Sequence, residues 1–224
     1  MINLEKLRAE QDKLAKKVIT HDTFENEDIK TIGGIDQTYT SNNRIISAAV
    51  VIDRKSLKEI EAKYSVMEVN FPYIPGFLSY RELPAMVEAY RMLEQRPDMI
   101  IIDGNGILHP RRLGLASHLG ILLDAVTIGV AKNLLSGEVD GERVIIDKEV
   151  RGYRLVTKEH ANPIFISPGH KIGLASAIDL AKKLIIPPHK LPEPVHLAHK
   201  LANRVKKELK DAEDAVKGVA PSPA

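Results

Sequence analysis

Cysteine is absent from the 224 residues, as is tryptophan. Neither a disulfide framework nor a thiolate metal site can therefore form, which suits a reducing compartment. No apolar run approaches the ~20 residues a membrane-spanning helix needs. Residues 1–17, MINLEKLRAEQDKLAKK, alternate charge with leucine and do not read as a signal peptide. The expectation is a soluble, cytoplasmic protein with no membrane contact. Excess charge of one sign is also missing: 32 Lys and Arg face 30 Asp and Glu, a net +2. That is a weak pointer to polyanions. Basic residues gather locally at Arg111–Arg112, at Lys182–Lys183, and at Lys200, Arg204, Lys206, Lys207 and Lys210. A solvated face on an amphipathic helix also accounts for the last group.

What is present is 44% hydrophobic sequence, enough for one compact domain over 1–217, with 218–224 read as a flexible tail. Leu4, Leu7, Leu14 and Val18 predict an N-terminal helix. Strand-like runs follow at Thr31–Tyr39, Arg44–Ile52 and Glu59–Val69, joined by short polar turns that favour antiparallel hairpins. Phe71–Phe77 carries two prolines and a glycine and reads as a rigid loop. A helix is expected over Leu78–Gln95, then a uniformly apolar strand at 99–102, which suggests burial on both faces. Further helices are expected at Leu113–Asp124, Ile172–Leu184 and Glu193–Lys217. Further strands are expected at Val126–Ala131, Arg143–Ile146, Tyr153–Thr157 and Pro163–Ser167. This order defines an α/β fold, a mixed sheet with helices on both faces.

Charged residues inside strands need a reason. Asp36 lies within Gly33-Gly34-Ile35-Asp36-Gln37, where small neighbours leave room for close approach. Asp103 ends the most apolar strand, the end at which α/β sheets bind ligands. Glu82 lies in the first turn of its helix, beside the core stripe. Acids brought together would repel, and a hard divalent cation such as Mg²⁺ or Mn²⁺ is the natural counter-charge. Taken singly, Glu82 also fits a carboxylate at a helix N-terminus, and Asp103 also fits a turn cap.

The segments GGIDQTY (33–39), PYIPGFLSYRE (72–82), DGNGILHPRRLGLASHLG (103–120), IGVAKNLL (128–135) and SPGHKIGLASA (167–177) resemble the endonuclease V family, in family order and over most of the chain. The resemblance implies a ribonuclease H-like fold and Mg²⁺-dependent phosphodiester hydrolysis, with Mn²⁺ as a substitute. It implies repair of deaminated adenine, with cutting at the second bond 3′ to hypoxanthine, leaving 3′-hydroxyl and 5′-phosphate ends. Asp36, Glu82 and Asp103 match the metal-binding acids, and His109 and Lys132 match positions near the scissile phosphate. His199 matches a position that takes Asp or His near the metal; His196 is the alternative. His170 is family-like without an assigned role.

Tyr73, held by Pro72, Ile74, Pro75 and Gly76, matches the tip of a wedge that fills the space left by an extruded base. Hypoxanthine offers a carbonyl at position 6 and a proton on N1, and backbone groups of glycine turns at Gly76, Gly104 and Gly114 could read both. The expected partner is deoxyinosine-containing DNA, with inosine-containing RNA as the alternative, and the expected state is a monomer. A junction resolvase would use the same acids but has no need for the proline loop. A non-catalytic binding module is disfavoured, because bare carboxylates repel phosphate.

Overall fold

The computed structural model describes residues 2–158 and 161–218. The expected tail therefore lies, from residue 219 onward, outside the described residues. In chain order the elements are α1 (Leu4–Ala15), β1 (Thr31–Tyr39), β2 (Arg44–Asp53), β3 (Glu59–Glu68), α2 (Leu78–Arg91), β4 (Met99–Asp103), α3 (Leu115–Leu123), β5 (Val126–Ala131), β6 (Glu138–Asp140), β7 (Arg143–Ile146), β8 (Glu149–Leu155), β9 (Ile164–His170), α4 (Leu174–Lys183) and α5 (Glu193–Gly218). The strands form one nine-stranded sheet in the order β3-β2-β1-β4-β5-β9-β8-β7-β6. β1, β4 and β5 run parallel, and the remaining neighbours pair antiparallel.

Alternation along the central strands feeds two cores, one on each face. Ile32, Met99, Ile101 and Ile128 pack with Val195, Ala198 and Ala202 of α5. Ile35, Ile100 and Ile102 pack with Leu83 and Met86 of α2 and Leu119 of α3. Strands covered on both sides carry no polar face, which is why 99–102 is uniformly apolar. Ile35 pairs with Ile102 across the parallel β1–β4 ladder. The next residues, Asp36 and Asp103, therefore stand side by side on the α5 face.

Gly34, on that same face, lets α5 settle against β1. A Cβ there would fall 2.1 Å from the carbonyl carbon and oxygen of Pro194. No L side chain fits that space, so glycine here sets the helix–strand distance.

Several boundaries differ from the sequence reading; α2, for instance, ends at Arg91 rather than Gln95. β9 continues past Ser167 through Pro168 and Gly169, because Pro168 sits opposite Ile128 beside a register irregularity between Thr127 and Ile128 that relieves the ladder of its missing N–H. β8 begins at Glu149 rather than Tyr153, and β6 has no counterpart in the sequence reading. β6 is three exposed residues with two acids, so it carries no alternation to detect. No helix among the described residues is long and apolar enough to cross a membrane.

Candidate active site

The carboxyl ends of β1 and β4 carry the site. Asp36 is 3% exposed and Glu82 6% exposed, so both charges need partners. Asp36 Oδ2 lies 2.6 Å from His199 Nδ1 on α5, and its Oδ1 accepts the Gln37 backbone N–H at 2.8 Å. Asp103 pairs with Lys132, which follows β5, and it stands close enough to Asp36 to feel that carboxylate's charge. Glu82 comes from α2, on the opposite face. It reaches the same end of the sheet because β1 runs beyond β4, where the Tyr39 hydroxyl donates to Glu82 Oε1 at 2.8 Å. Arg81 Nε in turn donates to that hydroxyl at 3.2 Å.

The electrostatics follow from this crowding. Burial, and then the charge of Asp36, push Asp103 up to about 6, with Lys132 only partly offsetting them. Glu82 rises to about 7, first through burial and then through Asp103 and Asp36, despite the Tyr39 hydrogen bond. Asp36 goes the other way: burial acts to raise it, but His199, Lys132 and the hydrogen bonds together hold it below its ordinary value. The Asp36 hydrogen bond raises His199. Lys132 is raised too, since its attraction to Asp103 and Asp36 outweighs its burial. Like charges held together, with cations drawn onto their oxygens, describe a cluster that seeks positive charge.

This ordering has a measurable consequence. Glu82 has its folded value above its ordinary 4.5, so its contribution to stability is full below that value and is lost as pH rises through about 7. Glu82→Gln keeps an acceptor for Tyr39 and carries no charge. In chelator at about pH 8 the variant is expected to be more stable than the parent by about 1–3 kcal/mol, with the gap closing near pH 4.5. Urea unfolding at the two pH values measures it. Equal stability at the higher pH would mean that neither burial nor the charges of Asp103 and Asp36 disfavour an ionised Glu82.

Beside the carboxylates lies a pocket of about 120 Å³ whose walls include Tyr73, Ile74, Pro75 and Gly76 on one side and Gly104, Asn105, His109 and Gly114 on the other. Tyr73 is 70% exposed, although a free aromatic ring gains by burial. Its neighbour Pro72 stays on the exposed loop outside the lining. The loop is braced from α1. That helix buries only Gln11, whose Nε2 donates to the Gly76 carbonyl at 3.0 Å while its Oε1 accepts from Arg111 Nε at 2.6 Å. Arg111 Nη2 donates to the same Gly76 carbonyl at 2.7 Å.

The structure thus brings Asp36, Glu82, Asp103, Lys132 and His199 together. It places His109 with the pocket, not with the acids. Burial, and then the Arg111 charge, lower His109 to about 4, so the ring is neutral near pH 7, and its Nδ1 accepts the Arg111 backbone N–H at 3.2 Å. Gly114 is packed between loops: a Cβ would lie 2.2 Å from the Asn105 carbonyl oxygen, so replacing it moves the turn itself as well as the pocket wall. His196 stacks on His189 with ring centroids 3.7 Å apart, which leaves His199 as the histidine at the acids. His170 Nδ1 accepts the Ile19 N–H at 3.2 Å and ties the N-terminal segment to β9. Sequence reasoning missed Tyr39 and Gln11. Tyr39 lies within the recognised GGIDQTY run, and its spacing from Asp36 was the available signal. Gln11 gave none.

Paired acids at the carboxyl ends of parallel central strands, helices on both sides and a hairpin-linked edge define a ribonuclease H-like nuclease, a phosphodiester hydrolase. The family model described as Endonuclease V matches residues 12–200. Endonuclease V of Dictyoglomus thermophilum is 42% identical over 197 residues, 84% of this chain and 85% of its own length. Endonuclease V of Rippkaea orientalis is 42% identical over 210 residues, 90% of each chain. The crystal structure of the Bacillus subtilis enzyme superposes with a TM-score of 0.87 at 31% identity, covering 95% of both chains. That of Ciona intestinalis endonuclease V, in complex with DNA containing an inosine followed by a ribo-adenosine, superposes with a TM-score of 0.84 at 27% identity, over 92% of this chain and 98% of that one. The chain belongs to the endonuclease V family.

Proposed function

We propose that the protein cleaves DNA beside hypoxanthine, at the second phosphodiester bond on the 3′ side, and so begins repair of deaminated adenine. The observation that carries this reading is the adjacency of the carboxylate cluster to a pocket walled by the exposed Tyr73. Residues 1–217 act in this reading as one nuclease unit, monomeric and cytoplasmic.

The donor set suits Mg²⁺, with Mn²⁺ as a substitute, because the cluster offers hard oxygens and draws in cations. No group of three or more His, Asp or Glu side chains among the described residues is already spaced around one point; Lys132 and His199 hold oxygens that an ion would need. Asp36, Glu82 and Asp103 would hold the ion, with His199 beside them. The chemistry such an ion supplies is a nucleophilic water and relief of charge on the departing oxygen.

The protein's own groups do the rest. Tyr73 enters the base stack, at little entropic cost because prolines stiffen its loop, and the hypoxanthine moves into the pocket. Backbone groups around Gly76, Gly104 and Gly114 donate to its carbonyl and accept from N1. Lys132, paired with Asp103 at the end of β5, is the cation placed to turn its ammonium to the phosphoryl oxygens and offset the charge that develops on them. His109 and Gln11 keep the pocket walls in place.

The test is one duplex with a single inosine, incubated with and without Mg²⁺ and mapped to the nucleotide. Cutting at the second 3′ bond, dependent on the metal and absent from the adenosine control, is expected. Equal cutting of the adenosine strand overturns the reading. A matched RNA strand run in parallel decides between DNA and inosine-containing RNA. The Ciona complex, whose DNA carries a ribonucleotide after the inosine, makes that arm necessary.

A further inference from the structure

A second concavity, of about 460 Å³, opens between the β1–β2 turn and α5. Tyr39, Thr40 and Ser41 form one wall, and Lys206, Leu209 and Lys210 form the other. Tyr39 joins it to the carboxylates through its hydrogen bond to Glu82.

The helix wall is continuous with the site. His199, Asn203, Lys206 and Lys210 are spaced four, three and four residues apart, which puts them on one stripe of α5. The stripe starts on Asp36 and, at 1.5 Å per residue, extends roughly 16 Å. Asn203, Lys206 and Lys210 are exposed, and neither lysine enters an ion pair among the described residues. Glu213, the one carboxylate lining the groove, is turned to the hairpin: Asn42 Nδ2 donates to its Oε2 at 2.7 Å, and Arg44 Nη1 lies 3.8 Å from its Oε1. Glu213 therefore fastens the wall and leaves the two ammonium groups as the groove's free charge.

Two free cations on a stripe that leads out of a nuclease centre, faced across the groove by the Ser41 hydroxyl and the Tyr39 ring, match a phosphodiester backbone; the Thr40 hydroxyl is engaged with the Arg44 backbone. We propose that this groove holds the strand on the 3′ side of the cut, the part that leaves with the 5′-phosphate. The assignment of side rests on the functional reading above: the base pocket opens beside Asp103 and the groove opens beside Tyr39. A strand with its lesion in the first and its cut bond 3′ of it passes onward into the second. At one phosphate per ~3.4 Å of duplex axis on each strand, about five phosphates span the stripe.

Cleavage kinetics on inosine strands that differ only in the length of the 3′ arm test the proposal. For the parent, KM is expected to rise about tenfold as the arm shortens from a long one to a single nucleotide beyond the cut. Lys206→Ala/Lys210→Ala should raise KM about tenfold on the long strand and make it insensitive to the 3′ arm. The slope of log KM against log salt should become shallower by about 1 to 2, the signature of two lost phosphate contacts, and Lys206→Arg/Lys210→Arg should restore it. Identical length dependence in parent and double alanine variant, or sensitivity confined to the 5′ arm, overturns the proposal. If the parent does not prefer inosine strands, the functional reading fails by itself. The groove is then judged by binding of an unmodified single strand, where equal salt slopes for parent and variant overturn it.

Discussion

Asp103→Asn is expected to lower cleavage of an inosine strand by at least ~1,000-fold while the protein still folds and binds that strand. The substitution keeps the size of the side chain and removes the charge that pairs with Lys132 and stands beside Asp36. Phosphate repulsion falls with the lost charge, so affinity measured without catalysis should hold or improve. Asp36→Asn should abolish cutting equally, with a different effect on the fold. Asp36 is held below its ordinary value by His199, Lys132 and backbone contacts that outweigh its burial, so its charge is welcome, whereas that of Asp103 is not. In the metal-free protein Asp36→Asn should therefore lower stability, and Asp103→Asn should not. Single-turnover cleavage, equilibrium binding and urea unfolding on the same preparations separate the three effects. Full activity in either variant would remove the carboxylates from the mechanism.

Gly34→Ala is expected to cost at least about 3 kcal/mol, toward or beyond the upper end of overpacking penalties. The added methyl would meet backbone, with the Pro194 carbonyl group at 2.1 Å and the Val195 nitrogen at 2.6 Å, and backbone cannot rotate aside. α5 would have to lift from β1. His199 lies five residues beyond Pro194 on the same helix, so it would leave Asp36. Loss of stability and loss of cleavage should appear together. Gly33→Ala is the comparison, because its methyl would meet the ring of Pro97 at 2.8 Å; a smaller loss is expected there, on the opposite face. Thermal unfolding of both variants measures this. Two equal melting temperatures would mean that the close approach of α5 to β1 is not a constraint.

Much of the fold was legible from local pattern. β1 and β5 fall at their expected limits, and 99–102 announced a doubly covered strand through its lack of any polar face. β6 was not legible, since three exposed residues stabilise nothing that leaves a mark on hydrophobic periodicity. β9 was read short because proline and glycine ordinarily end a strand, and only the irregularity that leaves Gly169 of β9 without a partner on β5 makes them acceptable.

For the site, sequence alone supplied the acids as anomalies, charges where a core should be, and the proline-stiffened loop that carries Tyr73. It also supplied the family, through ordered motifs spread over most of the chain. Tertiary structure decided who meets whom: that Glu82 crosses from the other face of the sheet, that His199 and not His196 stands on Asp36, that His109 belongs to the pocket, and that an isolated glutamine on an exposed helix braces the loop. Those choices depend on strand register, on the seating of a helix over one glycine and on the length by which β1 outruns β4. Such quantities arise between elements distant in the chain, and short-range pattern carries no term for them.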